Sequence, residues 1–262
     1  MYAFETKRPT TIAEAVAALA TEEAQALGGG QTLIPTLKQR LAMPSRLVSL
    51  SGIAEMRGIC MDDDGRLCIG GSTTHAEVAE GAGAYPALAE TARHIGDPAV
   101  RNRGTLGGSV ANNDPSACYP AAVLASNATV VTNARQIAAD DFFQGMFTTA
   151  LEEGEIVTEV KFAVPKVAHY QKFVQPASRF ALVGVFVAKF SDGVRVAVTG
   201  ASESGVFRWS EAEAALSDDF SPSALAGLSV PAEGMISDLH GTGAYRAHLV
   251  KVMTGRAVTA AA

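Results

Sequence analysis

The feature that most constrains this chain is a pair of glycine-rich turns, each placed to lead into a helix. Gly28-Gly29-Gly30-Gln31-Thr32-Leu33-Ile34-Pro35 sets three glycines between the strand-like Ala24 to Leu27 and a helical run, and Arg103-Gly104-Thr105-Leu106-Gly107-Gly108-Ser109 repeats these ingredients about seventy-five residues later. Without Cβ atoms, several backbone N–H groups can approach one anion, and the following helix adds its positive dipole end. The Thr32 hydroxyl is expected to cap the second helix and to donate to a phosphate oxygen. Asn112, Asn113 and Asp114 stand just beyond the second turn. Either turn alone is read more simply as turn geometry; two of them on separate subdomains suit a pyrophosphate. Neither has Gly-x-Gly-x-x-Gly spacing, and no Lys-Ser/Thr follows, which disfavours a dinucleotide-binding Rossmann unit and a P-loop.

The rest of the chain divides around these turns. A Thr11-x-x-Glu14 capping box starts a helix expected over 12–23, the second helix is expected to run from Thr32 through Leu41, and Arg46 to Leu50 closes an α/β unit over residues 1–55. Met56 to Cys60 and Arg66 to Gly70 flank Asp62-Asp63-Asp64-Gly65 as a hairpin. Helices follow near 74–80, 85–95 and 120–126, and strands over 128–132 and 156–162, so a second subdomain spans 56–165. From Pro165 the pattern becomes an antiparallel meander of three strands, 170–174, 182–190 and 194–199. Helices at 210–216 and 245–253 complete a C-terminal α+β domain over 166–262.

Composition narrows the function class. The formal charge of −6 and the lack of a dense Lys/Arg block remove the electrostatic footprint for nucleic acid. The longest apolar stretch outside Ala-rich segments, Ala181 to Ala188, is far below the roughly 20 residues of a membrane span. The N-terminus offers no apolar secretory core, so a cytoplasmic address is expected. Three cysteines, Cys60, Cys68 and Cys118, are too few and too scattered for a disulfide framework or a cluster, and the five histidines show no metal-ligand spacing. No metal is assigned, Cys60 and Cys68 are read as filling opposite strands of a hairpin, and no catalytic triad is visible.

On GGGQTLIP, IGDPAVRNRGTLGGSVANNDPSACYPAAVLASNATV, YQKFVQPASRFALVGVFVAKF and ISDLHGTGAYRAHLVKVMTGRAV, nearly the whole chain resembles the FAD-binding medium subunit of the xanthine dehydrogenase and carbon monoxide dehydrogenase family. The resemblance implies an α+β fold in which two α/β subdomains grip an extended FAD, as in PCMH-type FAD-binding domains, beside a C-terminal domain of three antiparallel strands with helices. Carried over by position, Gly28, Gly29, Gly30, Gln31, Thr32 and Leu33 would meet the pyrophosphate from one side. Thr105, Gly107, Gly108 and Ser109, with Asn112 and Asp114 nearby, would meet it from the other. Ile95 and Val100 would line the adenine or ribityl region, Val157 and Lys172 would lie close to the flavin, and Phe180 stands where relatives can carry a Tyr near the ring. Lys172 is equally readable as a solvated edge-strand charge and Phe180 as a core residue; Arg101 and Arg103 either steer phosphates, dock a partner or are surface charges. Two positions depart from the family pattern: Gly28 replaces an Ala, and Cys118 stands where many relatives have an Asp that hydrogen-bonds the cofactor. A thiol is the weaker partner, so Asp114 or a water is expected to take over.

The resemblance further implies partners: a large molybdopterin-cofactor subunit that hydroxylates substrate, and a small subunit whose two [2Fe–2S] clusters feed this FAD, in a heterotrimer that is doubled. Carbon monoxide, an aldehyde or an N-heterocycle all suit the substrate, and NAD, a quinone or oxygen the acceptor. The alternative is a stand-alone FAD oxidoreductase of the cell-wall reductase or alcohol oxidase type, with its own substrate base. A Val at Gly30 or Gly108 is expected to displace the diphosphate without unfolding the domain.

Overall fold

Thr11 marks where the first strand gives way to the first helix. In the computed structural model, which describes residues 1–261, β1 (Glu5–Lys7) is followed by α1 (Ile12–Leu19), β2 (Ala24–Leu27), α2 (Leu33–Lys38) and β3 (Arg46–Ser49). Thr11 Oγ1 accepts from the Glu14 N–H at 3.2 Å, but the Glu14 carboxylate reaches back to Thr10, accepting from its N–H at 2.8 Å and its hydroxyl at 3.1 Å. The capping box is therefore displaced by one residue on its return arm. Helix α1 stops at Leu19 instead of Glu23; the Arg46 guanidinium donates to Ala18 O in its last turn and the Ser45 hydroxyl to Glu22 O just past it. β3 lies between β1 and β2, all parallel, and Ala15, Leu19 and Val48 bury the helix against the sheet. Met56 and Ile156 enter the same small core.

The second sheet is antiparallel throughout. β4 (Ile59–Met61) and β5 (Leu67–Gly70) form the expected hairpin, and the chain then builds α3 (His75–Gly81), α4 (Pro86–Arg93), α5 (Pro98–Arg101), α6 (Leu106–Asn112) and α7 (Tyr119–Ala125). It returns through β6 (Thr129–Thr132), β7 (Gln136–Ala138), α8 (Ala139–Phe142) and the small hairpin β8 (Phe143–Gly145) and β9 (Thr148–Thr149). β10 (Val157–Phe162) inserts between β5 and β6, giving the order β4-β5-β10-β6-β7. Leu67, Ile69, Val160 and Phe162 alternate inward with period two and pack on the helices. The intervening positions Cys68, Glu159 and Lys161 fall on the outer face.

The C-terminal sheet has four strands where the sequence suggests three. β11 (Val167–Val174), β12 (Ala181–Lys189) and β13 (Val194–Thr199) form the meander, and β14 (Phe207–Arg208) adds two residues against Ala197 and Val198. So short a strand leaves no alternating pattern to read. The unbroken apolar run in β12 is explained by burial on both faces: Phe186 and Ala188 join the core beneath α4 and α7, while Val183, Val185 and Val187 face α9 (Ser210–Asp218) and α10 (Gly243–Ala261). α10 runs eight residues past its expected end at Met253, through Gly255, because Ala257 and Val258 remain buried. No helix among the described residues is long and apolar enough to cross a membrane.

Arg246 on α10 is 3% exposed and joins three separate segments. One guanidinium nitrogen donates to Leu182 O and Gly200 O at 2.7 Å each, and another to both Asp238 oxygens at 2.9 and 2.8 Å. Removing one partner from such a buried array leaves the others unsatisfied. Arg246→Ala is expected to lower unfolding free energy by about 3 kcal/mol, read from denaturant midpoints at constant slope.

Candidate functional site

The two glycine turns meet. A Cβ on Gly29 would lie 1.9 Å from the Arg103 carbonyl oxygen, and one on Gly28 would lie 2.9 Å from Thr105 Oγ1. The turns are thus packed backbone against backbone, and a cleft of about 380 Å³ opens beside their junction. The second turn is itself fixed to the strand-to-helix segment before α3: His75 N donates to Gly104 O at 2.9 Å, Leu106 N to Thr73 O at 3.0 Å and Gly107 N to Gly71 O at 2.9 Å.

These contacts divide the glycines by role. Gly29 is required by the carbonyl of Arg103, Gly104 by the His75 ring 2.5 Å from its Cβ position, and Gly107 by the Gly71 backbone at 2.7 Å. Gly30 adopts φ +73°, and a Cβ there would meet Ile34. Gly108, exposed at the start of α6, would set a Cβ 2.9 Å from Thr105 Oγ1 and near no other atom, so only that hydroxyl has to give. The expectation that Val at Gly30 leaves the fold intact is therefore corrected: that position is strained for any L side chain.

The cleft wall is rich in free donors. Among the described residues, the N–H groups of Gly29, Gly30, Gln31 and Thr32 have no protein acceptor. Thr32 does not cap α2 as expected. It sits in αR conformation with no side-chain cap bond, and its carbonyl instead receives the Thr36 N–H and hydroxyl. Its hydroxyl is accordingly available at the cleft. α2 ends at Lys38, before Leu41, where Arg40 turns to φ +60°.

Of the residues singled out from sequence, Gly28, Gly29, Gly30, Gln31, Thr32, Leu33, Ile95, Val100, Thr105, Gly108, Ser109, Asn112, Asp114, Lys172 and Phe180 all line this one cleft. Gly107 and Val157 do not. Gly107 is buried against Gly71, and the Val157 side chain lies in the core with its carbonyl beneath Gly71, two backbone layers behind the cleft surface. Val157 sits in β10 at the centre of the sheet, where it underpins the Gly71 backbone behind the cleft.

The C-terminal sheet completes the wall. Lys172 is no solvated edge charge: its Nζ donates to His94 O at 2.8 Å, tying β11 to the end of α4. Phe180 is 57% exposed and stands at the cleft instead of in the core. It ends the turn between β11 and β12, where Gln175 Oε1 accepts from Ser178 N and Oγ and Arg179 takes φ +62°. Thr199 Oγ1 donates to Pro115 O or Ala117 O, both within 2.9 Å, and Gly200 N donates to Pro115 O, holding the Asp114 to Cys118 loop from behind. Arg101 folds back on the Ile95 and Gly96 carbonyls at 3.0 and 3.1 Å, which makes it a loop clamp.

Sequence reasoning missed His75, Gly96, Gly104, Ser178 and Arg179 as lining residues. Arg179 was hidden because its placement depends on a strained hairpin; His75 because nothing in its spacing distinguishes it. Cys118 lines the cleft, 4% exposed, and Asp114 lies four residues away with Oδ1 accepting from Ser116 N at 2.8 Å. Lys172 and Arg179 face one carboxylate, Asp114, so the lining carries net positive charge. An anion with an apolar and aromatic extension matches this wall: free amides and cations for the charge, Ile95, Val100 and Phe180 for the rest.

Residues 2–166 match the family described as the FAD binding domain in molybdopterin dehydrogenase, and the chain belongs to that family of flavoprotein oxidoreductase subunits. It is 32% identical to the carbon monoxide dehydrogenase medium chain of Hydrogenophaga pseudoflava, covering 98% of this chain and 96% of that one. Over 97% of its length it is 34% identical to the nicotine 6-hydroxylase medium subunit of Paenarthrobacter nicotinovorans, covering 95% of that subunit. The crystal structure of quinoline 2-oxidoreductase from Pseudomonas putida 86 superposes with a TM-score of 0.88 at 30% identity, covering 99% of this chain and 97% of its counterpart. The cofactor that this family holds is FAD, and the unpaired amides, glycine junction and cationic wall fit its diphosphate.

His75 supplies a pH signature for the junction. Burial, and then the Arg101 charge, hold its pKa down near 4 against an ordinary 6.5, and its Nδ1 has no partner. A depressed imidazole makes the unfolded chain bind more protons between these values, so its stability contribution is complete above pH 6.5 and is lost as pH falls toward 4. His75→Gln is expected to flatten the wild-type decline in melting temperature across that window. Gly29→Ala is expected to part the two turns and destabilise the fold, whereas Gly108→Ala keeps the melting temperature within a few degrees.

Proposed function

We propose that this chain holds one FAD with its diphosphate across the junction of the two glycine turns and acts as the electron-relay subunit of a molybdenum hydroxylase. The observation that carries the reading is the row of unpartnered amides at Gly29 to Thr32, set against the exposed start of α6 at Gly108 and Ser109. FAD, when bound, supplies the ability to exchange electrons singly and in pairs.

The chain's own residues do the rest. Gly29, Gly30, Gln31 and Thr32 donate backbone N–H groups to phosphate oxygens, and the Thr32 and Ser109 hydroxyls add side-chain donors. Lys172, anchored on His94 O, and Arg179 neutralise the charge. Ile95 and Val100 exclude water from the nucleotide, and Phe180 offers an aromatic face. Asp114 keeps one carboxylate oxygen beyond its Ser116 bond and takes the acceptor role that Cys118 fills poorly.

The relatives support a multi-subunit assignment, since the carbon monoxide dehydrogenase and nicotine hydroxylase counterparts are themselves named medium chains or subunits. Under this reading a large subunit with the molybdopterin cofactor performs hydroxylation, and a small subunit with [2Fe–2S] clusters passes electrons to this FAD and on to an external acceptor. The assembly is a dimer of heterotrimers in the cytoplasm.

Gly108→Val is expected to abolish flavin retention, read by absorbance of the purified chain titrated with FAD, with circular dichroism unchanged. Lys172→Met is expected to weaken FAD binding by about tenfold, or ~1.4 kcal/mol. Unaltered flavin affinity in both variants refutes the assignment of the cleft. Co-expression with candidate molybdenum and iron–sulfur subunits tests the relay: flavin in the complex is reduced by substrate, whereas flavin in the isolated chain is not.

A further inference from the structure

Cys60 and Cys68 were expected only to fill opposite strands, with no metal assigned, yet the fold adds a third group. The two cysteines are direct partners in the β4–β5 hairpin, and Glu159 stands opposite Gly70 on the neighbouring β10. The two sulfurs and a Glu159 carboxylate oxygen all lie within 4.8 Å of one another. All three side chains occupy the outer face of the second sheet, opposite the inward Leu67, Ile69 and Val160, and none lines the flavin cleft. Cys60 is exposed, Cys68 buried and Glu159 half-buried, so the cluster has a closed floor and an open mouth.

We propose that Cys60, Cys68 and Glu159 bind one thiophilic divalent cation of the zinc type, with water in the fourth position. In a tetrahedral zinc site with Zn–S bonds of about 2.3 Å, ligand atoms sit roughly 3.8 Å apart, so closing the present cluster needs only side-chain adjustment. The donor set, two thiolates and a carboxylate, selects zinc or cadmium over magnesium or calcium. Binding moves no electrons: each thiol releases its proton to solvent as a metal–sulfur bond forms. The carboxylates of Glu159 and the neighbouring Asp62 place negative charge at the cluster, which favours a cation. Lys161 opposes this, its Nζ lying 3.6 Å from Glu159 and 4.0 Å from Asp62. The site would pin the edge strand β4 to β10 through β5 and shield the exposed thiol from oxidation.

The test uses the full-length, FAD-loaded chain, titrated with cadmium while the ultraviolet thiolate-to-cadmium band is followed, and with zinc against a chromogenic chelator. One equivalent of metal, about two protons released and a slowed reaction of Cys60 with iodoacetamide are expected. Cys60→Ser, on an exposed edge strand, should lose the band and weaken binding by at least about tenfold; Glu159→Gln should weaken binding while retaining the band. Lys161→Met, which removes the competing cation, should tighten binding about threefold. Metal binding unchanged in Cys60→Ser, no metal uptake by the wild-type chain, or a pre-formed Cys60–Cys68 disulfide shown by a mass deficit and an unreactive Cys60 would each overturn the proposal.

Discussion

The approach of Gly29 to the Arg103 carbonyl is the contact on which the rest of the molecule depends. A parallel α/β lobe and an antiparallel lobe share little core beyond Met56 and Ile156. What aligns their ligand-facing surfaces is this backbone-to-backbone junction, and it admits no side chain. Behind it the second turn is bonded to Gly71, Thr73 and His75, and Gly71 in turn donates to Thr158 of the central strand β10. A chain of main-chain contacts thus runs from the middle of one sheet to the end of another. The floor of the cleft is made of backbone.

This arrangement changes what the glycines mean. Removing Cβ at Gly29, Gly104 and Gly107 allows protein to pack on protein, Gly30 is required by its positive φ, and Gly108 lies exposed on the cleft side. The anion site is a by-product of the junction: four consecutive amides are left without acceptors because the turn at Gly29 to Thr32 is held away from both strand and helix pairing. Unsatisfied donors are costly when buried, and here they stay accessible at an open cleft where a diphosphate or water can meet them.

The C-terminal sheet, although separate in sequence, is part of the same device. Lys172 and Arg179 bring positive charge, Phe180 an exposed ring, and Thr199 and Gly200 support the loop bearing Asp114 and Cys118. The continuous burial of β12 between two layers fixes the position of these groups against α4 and α7. The carbon monoxide dehydrogenase and nicotine 6-hydroxylase medium chains align over nearly the whole of this chain, and quinoline 2-oxidoreductase shares its fold.

Local chemistry was readable without coordinates. The glycine turns, the Asp62 to Gly65 hairpin, the meander and more than half of the lining residues follow from spacing, turn composition and family resemblance, because each is encoded within a few neighbouring positions. Long-range geometry was not. Val157 and Gly107 match family positions yet lie behind the surface, Thr32 gave up its cap, α10 ran on past Gly255, and Glu159 came to face Cys60 and Cys68 from another strand. Strand register, burial from outside and backbone contact between distant turns decide such matters, and these arise only once segments far apart in the chain pack together.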